Sequence, residues 1–160
     1  MAKYLTVISD SHGARSNLSR LAGDCLVSDK IVFLGDGLSD LIELFEFEDK
    51  IVKVAGNCDF LSGTTKRTTF YMEGVKFLAV HGDEFGVKTS LVRLKEYAKS
   101  IGVSVVLYGH THIAGVKEED GITFINPGTL SRYGSLETFA FLTVESGKVT
   151  AKIIPVGRRK

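Results

Sequence analysis

The four histidines of the chain all lie in short polar motifs beside aspartate or asparagine, where apolar runs end. In chain order these motifs are Asp10-Ser11-His12, Gly35-Asp36, Gly56-Asn57-Cys58-Asp59, His81-Gly82 and Gly109-His110-Thr111-His112. Imidazole nitrogens combined with carboxylate and amide oxygens form the ligand set that divalent transition metals prefer. The motifs therefore predict a metal site with two ions, and hydrolytic chemistry at it.

The spacing of the motifs explains how they could meet. In the first and last motifs, one residue separates two ligand-type residues, so in an extended segment both side chains would project to the same side. The glycines that precede Asp36 and Asn57 are expected to let the backbone turn sharply out of a strand. Every motif directly follows a predicted strand, and the ends of parallel strands share one edge of a sheet. We therefore expect the motifs to lie along one rim.

Apolar runs alternate with helical spacing of apolar residues over the first two-thirds of the chain, which indicates an α/β fold. Strands are predicted at residues 4–8, 31–34, 51–55, 65–72, 75–80, 103–108, 115–118, 122–125, 139–145 and 149–155. Helices are predicted at residues 15–24, at 38–47 with Ser39 as the N-cap, and at 88–101. This order predicts two stacked mixed sheets with helices outside them.

The composition is that of an ordinary soluble domain. The chain has 160 residues, of which 44% are hydrophobic and 24% charged, and this suits a single domain at 1–157 with a solvated basic tail at 158–160. A net charge of +1 argues against a nucleic-acid polymer or a membrane as a partner. We find no signal peptide and no bilayer-spanning run, and so expect a cytoplasmic protein. The two cysteines form no disulfide framework, and Cys25 is expected in the core.

With these motifs in this order, the chain resembles the calcineurin-like metallophosphoesterases. Their signature is Asp-x-His, Gly-Asp, Gly-Asn-x-Asp/Glu, His and Gly-His-x-His. The chain is most similar to the compact YfcE-like branch, which also carries the stretch found here as Asn126-Pro127-Gly128-Thr129. The resemblance runs from Lys3 to about Val156 and implies a four-layer αββα sandwich. Asn126 and Gly128 are expected to shape the turn beside the site.

The resemblance also implies two divalent ions per chain, each held by four side chains. One ion would be held by Asp10, His12, Asp36 and His112, and the other by Asp36, Asn57, His81 and His110. Asp36 would bridge the two ions, and Asp36, Asn57 and His81 are expected to serve catalysis. The nucleophile would be a hydroxide that bridges the ions and attacks phosphorus in line. Manganese is the expected metal, with iron, nickel, zinc and magnesium as alternatives.

Some positions depart from the family pattern or allow two roles. Larger relatives carry a proton-donating histidine where this chain has Cys58, which is expected either to contact substrate with Asn57 or to be a small buried support for it. Asp59 is expected to orient Cys58 or a water, and it is assigned to substrate binding together with Asn57, Cys58 and Arg132. Asp83 is expected to hydrogen-bond to a ligating histidine, or else to face water. Arg132 is expected to contact a substrate phosphate, or to be a solvated surface residue.

The complete set of motifs predicts an enzyme that hydrolyses a small phosphate ester, with phosphodiesters preferred. The alternative is a protein-binding scaffold of the same fold, because the family resembled includes a retromer subunit with a degraded metal site. A nuclease is disfavoured because the chain lacks the basic surface that holds a polynucleotide, whereas cleavage of a cyclic nucleotide stays open. Relatives in the family are often dimers or tetramers, so a homo-oligomer is a further expectation.

Overall fold

The computed structural model of the protein describes residues 1–134 and 136–157, so the predicted basic tail at 158–160 lies outside the described residues. The strands in this part of the chain are β1 (Lys3–Ile8), β2 (Lys30–Phe33), β3 (Ile51–Lys53), β4 (Arg67–Met72), β5 (Val75–Val80), β6 (Val105–Tyr108), β7 (Gly115–Glu119), β8 (Ile122–Asn126), β9 (Thr138–Glu145) and β10 (Lys148–Pro155). The helices are α1 (Arg15–Ser19), α2 (Ala22–Val27) and α3 (Val92–Ile101), with 3-10 segments at Leu38–Lys50 and Asp83–Phe85. None of the helices in these ranges is long and apolar enough to cross a membrane.

The strands form two mixed sheets of five strands each. The first has the order β10-β9-β1-β2-β3, in which β1, β2 and β3 are parallel and β9 runs antiparallel to both β1 and β10. The second has the order β4-β5-β6-β8-β7, in which β5, β6 and β8 are parallel and the two outer strands are antiparallel to their neighbours. Each sheet thus contains three neighbouring parallel strands, β1, β2 and β3 in the first and β5, β6 and β8 in the second.

Three apolar clusters hold the layers together. The central cluster joins the inner faces of both sheets, and Leu5 and Leu142 of the first sheet pack there with Phe77 and Leu107 of the second. A second cluster packs α1, α2 and the segment Leu38–Lys50 on the outer face of the first sheet. A third packs α3 on the outer face of the second sheet. The resulting order of helix, sheet, sheet and helix confirms the predicted αββα sandwich.

The segment Leu38–Lys50 consists of two 3-10 pieces that meet at a kink at Leu44 (φ −115°, ψ 21°), and the prediction of a short α-helix there was wrong. Its core-facing apolar residues, Leu38, Leu41, Leu44 and Phe47, recur at every third position. That spacing matches the three residues per turn of a 3-10 helix on each side of the kink, whereas in an α-helix it would carry the apolar residues around the axis. The residue before the segment is Gly37, no side chain caps it, and Ser39 is therefore not an N-cap.

Two other helices differ from the predicted bounds. The helix predicted at 15–24 is split into α1 and α2, because Leu21 leaves the helical conformation with φ −91° and ψ 5°. Gly23 lies in α2, and glycine is a weak helix former, which further disfavours one continuous helix here. The helix predicted from residue 88 begins only at Val92. Cys25 is fully buried in the second cluster, as predicted.

Candidate metal centre

The polar motifs meet at the rim where the parallel strands of both sheets end. Asp10 and Asp36 follow β1 and β2 of the first sheet, whereas His81 and His110 follow β5 and β6 of the second. The two sheets come into contact through these side chains, since Nε2 of His81 lies 3.2 Å from Oδ2 of Asp36. Asp10, Asp36 and His81 are all buried there.

Each of the two aspartates has one carboxylate oxygen anchored by protein donors. Oδ2 of Asp10 accepts hydrogen bonds from the Ser9 hydroxyl at 2.5 Å and from the backbone N–H of His110 at 3.1 Å. Oδ1 of Asp36 accepts the backbone N–H of Cys58 at 2.8 Å. The anchoring leaves Oδ1 of Asp10 and Oδ2 of Asp36 directed at the imidazole rings.

The imidazoles divide between these two oxygens. His112 and His12 place Nε2 at 3.2 and 3.5 Å from Oδ1 of Asp10. His81 places Nε2 next to Oδ2 of Asp36 and 3.1 Å from Nδ1 of His110. Two groups therefore form, each with donor atoms within 4.8 Å of one another; they are Asp10, His12 and His112, and Asp36, His81 and His110. These groups match the division of histidines that the family resemblance implies.

The orientation of His81 is fixed by a main-chain contact. Its Nδ1 lies 2.7 Å from the carbonyl oxygen of Leu34. A carbonyl can only accept, so Nδ1 carries a proton, and in the neutral ring the lone pair of Nε2 faces Asp36 and His110. This is the tautomer that a metal-ligating histidine needs.

The donor set fits divalent cations. Nε2 of His12 is buried and has no hydrogen-bond partner among the described residues. Its nearest carboxylate oxygens, at 3.5 Å in Asp10 and 3.7 Å in Asp36, are at or beyond the limit of a hydrogen bond. Buried polar groups are rarely left unpaired, and such a group calls for an explanation. A cation between this nitrogen and the two carboxylates would satisfy all three.

The backbone of the centre is left-handed at five of the six converging residues. The φ angles are 56° at Asp10, 42° at His12, 62° at Asp36, 71° at His110 and 63° at His112. The extended conformation predicted for the first and last motifs was therefore wrong. Residues other than glycine adopt this region at a cost of about 1 kcal/mol or more each, and such strain clusters at functional sites.

Gly56 and Gly109 allow the closest approaches in the centre. A Cβ at Gly56 would overlap Oδ1 of Asp36 and lie 2.7 Å from the Asp36 nitrogen, and a Cβ at Gly109 would lie 2.8 Å from Oδ2 of Asp10. The left-handed turn predicted to need glycine is found at Gly35, with φ 101°, and not at Gly56. Gly56 is thus required for space and not for a sharp turn.

Asp59 clamps the two loops that flank Asp36, a role different from the predicted orientation of the Cys58 thiol or a water. Its carboxylate accepts four backbone N–H groups, from Asp36 at 2.7 Å, Gly37 at 3.0 Å, Leu38 at 3.1 Å and Gly56 at 2.8 Å. The clamp joins the end of β2 to the end of β3 and sets the position of Asp36.

Asp40 is a functional support that the sequence did not reveal. It is buried and accepts the Ser11 hydroxyl at 2.6 Å, the Gly13 N–H at 2.8 Å and the Arg15 Nε–H at 3.3 Å. These bonds hold the loop that carries Asp10 and His12. Its position in an apparently amphipathic helix gave no signal of this role.

Asn126 supports the opposite loop, as predicted. Its amide donates to the carbonyl of Gly109 at 3.3 Å and to the hydroxyl of Thr111 at 3.0 Å. Its own oxygen accepts the N–H of Gly128 at 2.9 Å. The turn is thereby fixed beside His110.

Asn57 and Cys58 lie at the exposed side of the centre. The amide of Asn57 lies 3.6 Å from the sulfur of Cys58. The Cys58 sulfur is within 4.8 Å of donor atoms of His12 and Asp36. Because Cys58 is exposed, it is not a buried support for Asn57.

Two further predicted residues flank the centre. Asp83 pairs with Lys66 at 2.8 Å, and this ion pair replaces the predicted hydrogen bond to a histidine. Arg132 donates to the hydroxyl of Ser16 and, with His12 and Tyr133, lines a cavity of about 120 Å³. Arg132 is therefore next to the centre without belonging to it.

The carboxylates and imidazoles of the centre shift one another's pKa values. Burial disfavours the charged form of Asp10, but His112 and His12 outweigh it and hold the pKa of Asp10 below its usual range. Burial likewise opposes ionisation of Asp36, yet His81 and the N–H of Cys58 lower its pKa. The carboxylate of Asp10 raises the pKa of His12. Burial acts to lower the pKa of His81, but Asp36 and Asp10 raise it overall.

The comparisons with known proteins agree with this geometry. The model of the calcineurin-like phosphoesterase superfamily domain matches residues 4–147. The chain belongs to this superfamily. It is 32% identical over 149 residues to the probable metallophosphoesterase YsnB of Bacillus subtilis, covering 91% of this chain and 87% of the relative. Membership implies a phosphoesterase domain with divalent metal ions.

Two solved structures show the same fold. An archaeal phosphodiesterase superimposes with a TM-score of 0.76 at 23% identity, covering 94% of this chain and 99% of the other. Vacuolar protein sorting 29 of Cryptosporidium parvum superimposes with a TM-score of 0.77 at 17% identity, covering 96% of this chain and 97% of the other. At these identities the likeness concerns the fold.

Removal of the Asp59 clamp should destabilise the protein. We expect Asp59→Ala to lower the free energy of unfolding by about 2–4 kcal/mol, because four backbone N–H groups lose their acceptor. Asp59→Asn keeps one acceptor oxygen and should lower the free energy of unfolding by less. Urea denaturation measures both, with the exposed Asp49→Ala, in the 3-10 segment, as the matched control. A loss for Asp59→Ala no larger than that of the control would contradict the clamp.

The stability of the metal-free protein should fall as pH rises above about 6.5, the ordinary histidine pKa. The raised pKa values of His12 and His81 mean that their charged forms stabilise the fold below that pH and that this contribution is lost on deprotonation. With manganese the trend should reverse, because protons then compete with the ions. Scanning calorimetry of the metal-free and the manganese-loaded protein between pH 6 and 9 measures these trends. A midpoint of thermal unfolding that rises with pH in the metal-free protein would refute the prediction.

Proposed function

We propose that the protein is a metal-dependent phosphoesterase that acts on a small phosphate ester and prefers phosphodiesters. The observation that carries this proposal is the convergence of two carboxylate oxygens and four imidazoles at one rim of the sandwich. One of these imidazoles, His12, has a buried Nε2 with no hydrogen-bond partner among the described residues. Superfamily membership supports phosphate-ester hydrolysis as the reaction. Every ligand position that the family resemblance implies is filled in this chain.

In this proposal the two groups of donors hold two ions. Asp10, His12 and His112 take one, and His81 and His110 take the other. Asp36 would serve both through Oδ2, because its Oδ1 is held by the N–H of Cys58. Asn57 would complete the second set by turning its amide oxygen inward from its contact with Cys58. Mixed nitrogen and oxygen donors suit manganese, iron, nickel or zinc better than magnesium, and manganese is our choice.

The ions would supply Lewis acidity and a hydroxide for in-line attack on phosphorus. The chain's own residues do the remaining work. Leu34 keeps His81 in its ligating tautomer, and Asp59 fixes the loop that presents Asp36. Arg132 beside the cavity next to His12 would bind a phosphate oxygen by a charge-assisted hydrogen bond.

The position of Cys58 bears on the choice of substrate. It is exposed, and burial together with the neighbouring Asp36 raises the pKa of its thiol. A thiol with a raised pKa is a weaker acid than the imidazolium that donates the proton in larger relatives, so it would assist the departure of an alkoxide less. This favours leaving groups of low pKa and disfavours alkyl monoesters.

The second candidate function is a protein-binding scaffold, and the likeness to vacuolar protein sorting 29 is the observation in its favour. That likeness concerns the fold, whereas the donor set of this chain is complete. A scaffold has no need of five strained left-handed residues at one rim. We therefore place hydrolysis first.

Metal dependence tests the proposal directly. We expect chelator-treated protein to lose hydrolysis of bis-p-nitrophenyl phosphate, and manganese to restore it by at least about tenfold, since metal ions supply the nucleophile. Ethyl phosphate should be hydrolysed far more slowly under the same conditions. Failure to hydrolyse any ester with any divalent ion would reject the enzyme and favour the scaffold.

The sharing of Asp36 predicts unequal effects on metal content. Asp36→Asn should weaken the binding of both ions, because one carboxylate serves both. His12→Ala should weaken the binding of mainly one ion. Elemental analysis after dialysis gives the number of ions per chain, with Asp49→Asn as a control of equal charge change. An Asp36→Asn protein that keeps two tightly bound ions would show that Asp36 does not bridge them.

A further inference from the structure

A groove of about 390 Å³ lies beside the candidate centre on the outer face of the second sheet. It runs from the loop that carries the last two histidines toward the edge strand β7. Its walls come from the loop after β5, the end of β6, and strands β7 and β8. The lining residues that matter here are Lys88, Tyr108, Ile113, Val116, Lys117 and Phe124.

The groove adjoins the centre at the loop that carries the last two histidines. Thr111, which stands between the two histidines of the last motif, is part of its lining. The amide of Asn126 holds the hydroxyl of Thr111 at 3.0 Å, so this wall is fixed. A group bound in the groove would therefore lie next to the reacting phosphate.

The floor of the groove is apolar and partly aromatic. Tyr108 and Phe124 pack with the α3 cluster on this face. Ile113 and Val116 are 73% and 50% exposed, although both adjoin a polar centre. Large apolar side chains exposed around a concave site are typical of ligand-binding surfaces. Together with Tyr108 they offer the apolar and aromatic surface on which a planar ring can pack.

The rim of the groove is positively charged. Lys117 pairs with Glu119 at 2.8 Å, but Glu119 is shared with Lys95 at 3.5 Å. Lys95 and Lys99 both also pair with Asp120, at 3.3 and 2.7 Å. The network thus sets three lysines against two acids and leaves a net positive charge. Lys88 adds a second cation on the other wall, and the groove lining includes no acidic side chain among the described residues.

We propose that this groove binds one ester group of a phosphodiester, and that this group is a ring system bearing a second anionic substituent such as a phosphate. The inference rests on the proposed function, because it places the group beside a reacting phosphate at the metal centre. The ring would lie on Tyr108, Ile113 and Val116. The anionic substituent would be held between Lys88 and Lys117 by charge-assisted hydrogen bonds.

Two chromogenic diesters that differ by one phosphate test the proposal. They are the 5′-(p-nitrophenyl) esters of thymidine 5′-phosphate and of thymidine 3′,5′-bisphosphate. For the manganese-loaded protein we expect kcat/KM to be about tenfold higher for the second ester, as one charge-assisted contact would give. A ratio near one would overturn the groove assignment, while hydrolysis of bis-p-nitrophenyl phosphate would leave the proposed function intact.

Lysine variants test whether the preference for the second phosphate arises in the groove. Lys88→Ala and Lys117→Ala should each reduce the ratio of the two kcat/KM values severalfold. Lys148→Ala, an exposed lysine on β10 of the other sheet, should leave the ratio unchanged. An unreduced ratio in both groove variants would overturn the proposal.

A binding measurement separates this inference from catalysis. Titration calorimetry of the manganese-loaded protein compares binding of thymidine 3′,5′-bisphosphate with binding of thymidine 5′-phosphate, the two nucleotides that lack the nitrophenyl group. Tighter binding of the bisphosphate that is lost in Lys117→Ala would support the groove even if no ester were hydrolysed. Equal affinities would overturn it, whatever the fate of the proposed function.

Discussion

The structure depends on keeping two carboxylates buried at the seam between its sheets. Asp10 and Asp36 are almost inaccessible to solvent, and buried charge is costly unless it is paired. Hydroxyl and backbone N–H groups satisfy one oxygen of each. The other oxygens face imidazoles, and one of these, in His12, has a buried nitrogen left without a hydrogen-bond partner among the described residues. The remaining negative charge and this nitrogen without a partner both favour the binding of divalent cations. The buried groups that are costly without a cation are therefore the ones that would bind it.

The loops around these carboxylates are built from further carboxylates. Asp59 gathers four backbone N–H groups around Asp36, and Asp40 holds the loop of Asp10 through Ser11 and Gly13. Such bonds fix backbone conformations that are unfavourable in isolation, including the left-handed angles of the donors. Strain and acidic charge are therefore concentrated at one rim, while the apolar clusters of the sandwich supply the stability that tolerates them.

The layers and the convergence of the motifs could be predicted because both follow from local pattern. Apolar runs marked the parallel strands, and chemistry-bearing residues at strand ends share a rim by geometry. The route by which Asp10 and His12 converge could not be predicted, since spacing suggests an extended segment and only tertiary contacts impose left-handed angles. The clamp by Asp59 was equally hidden, because its four donors come from two segments apart in sequence. The 3-10 helix, in contrast, was visible in the three-residue apolar spacing of Leu38–Lys50 and was misread as α-helical.

Net charge is a poor guide to what this rim can bind. The chain carries a net charge of only +1, yet its cations are distributed unevenly around the centre. Arg132 stands on the side of His12, and Lys88 and Lys117 stand along the groove on the side of His110. Electrostatic interaction with a bound anion falls off within about 8–10 Å at physiological salt, so these local charges decide binding and the distant ones do not. A compact domain of near-neutral charge can thus attract a polyanionic small molecule, because a few cations close to the bound anion are enough.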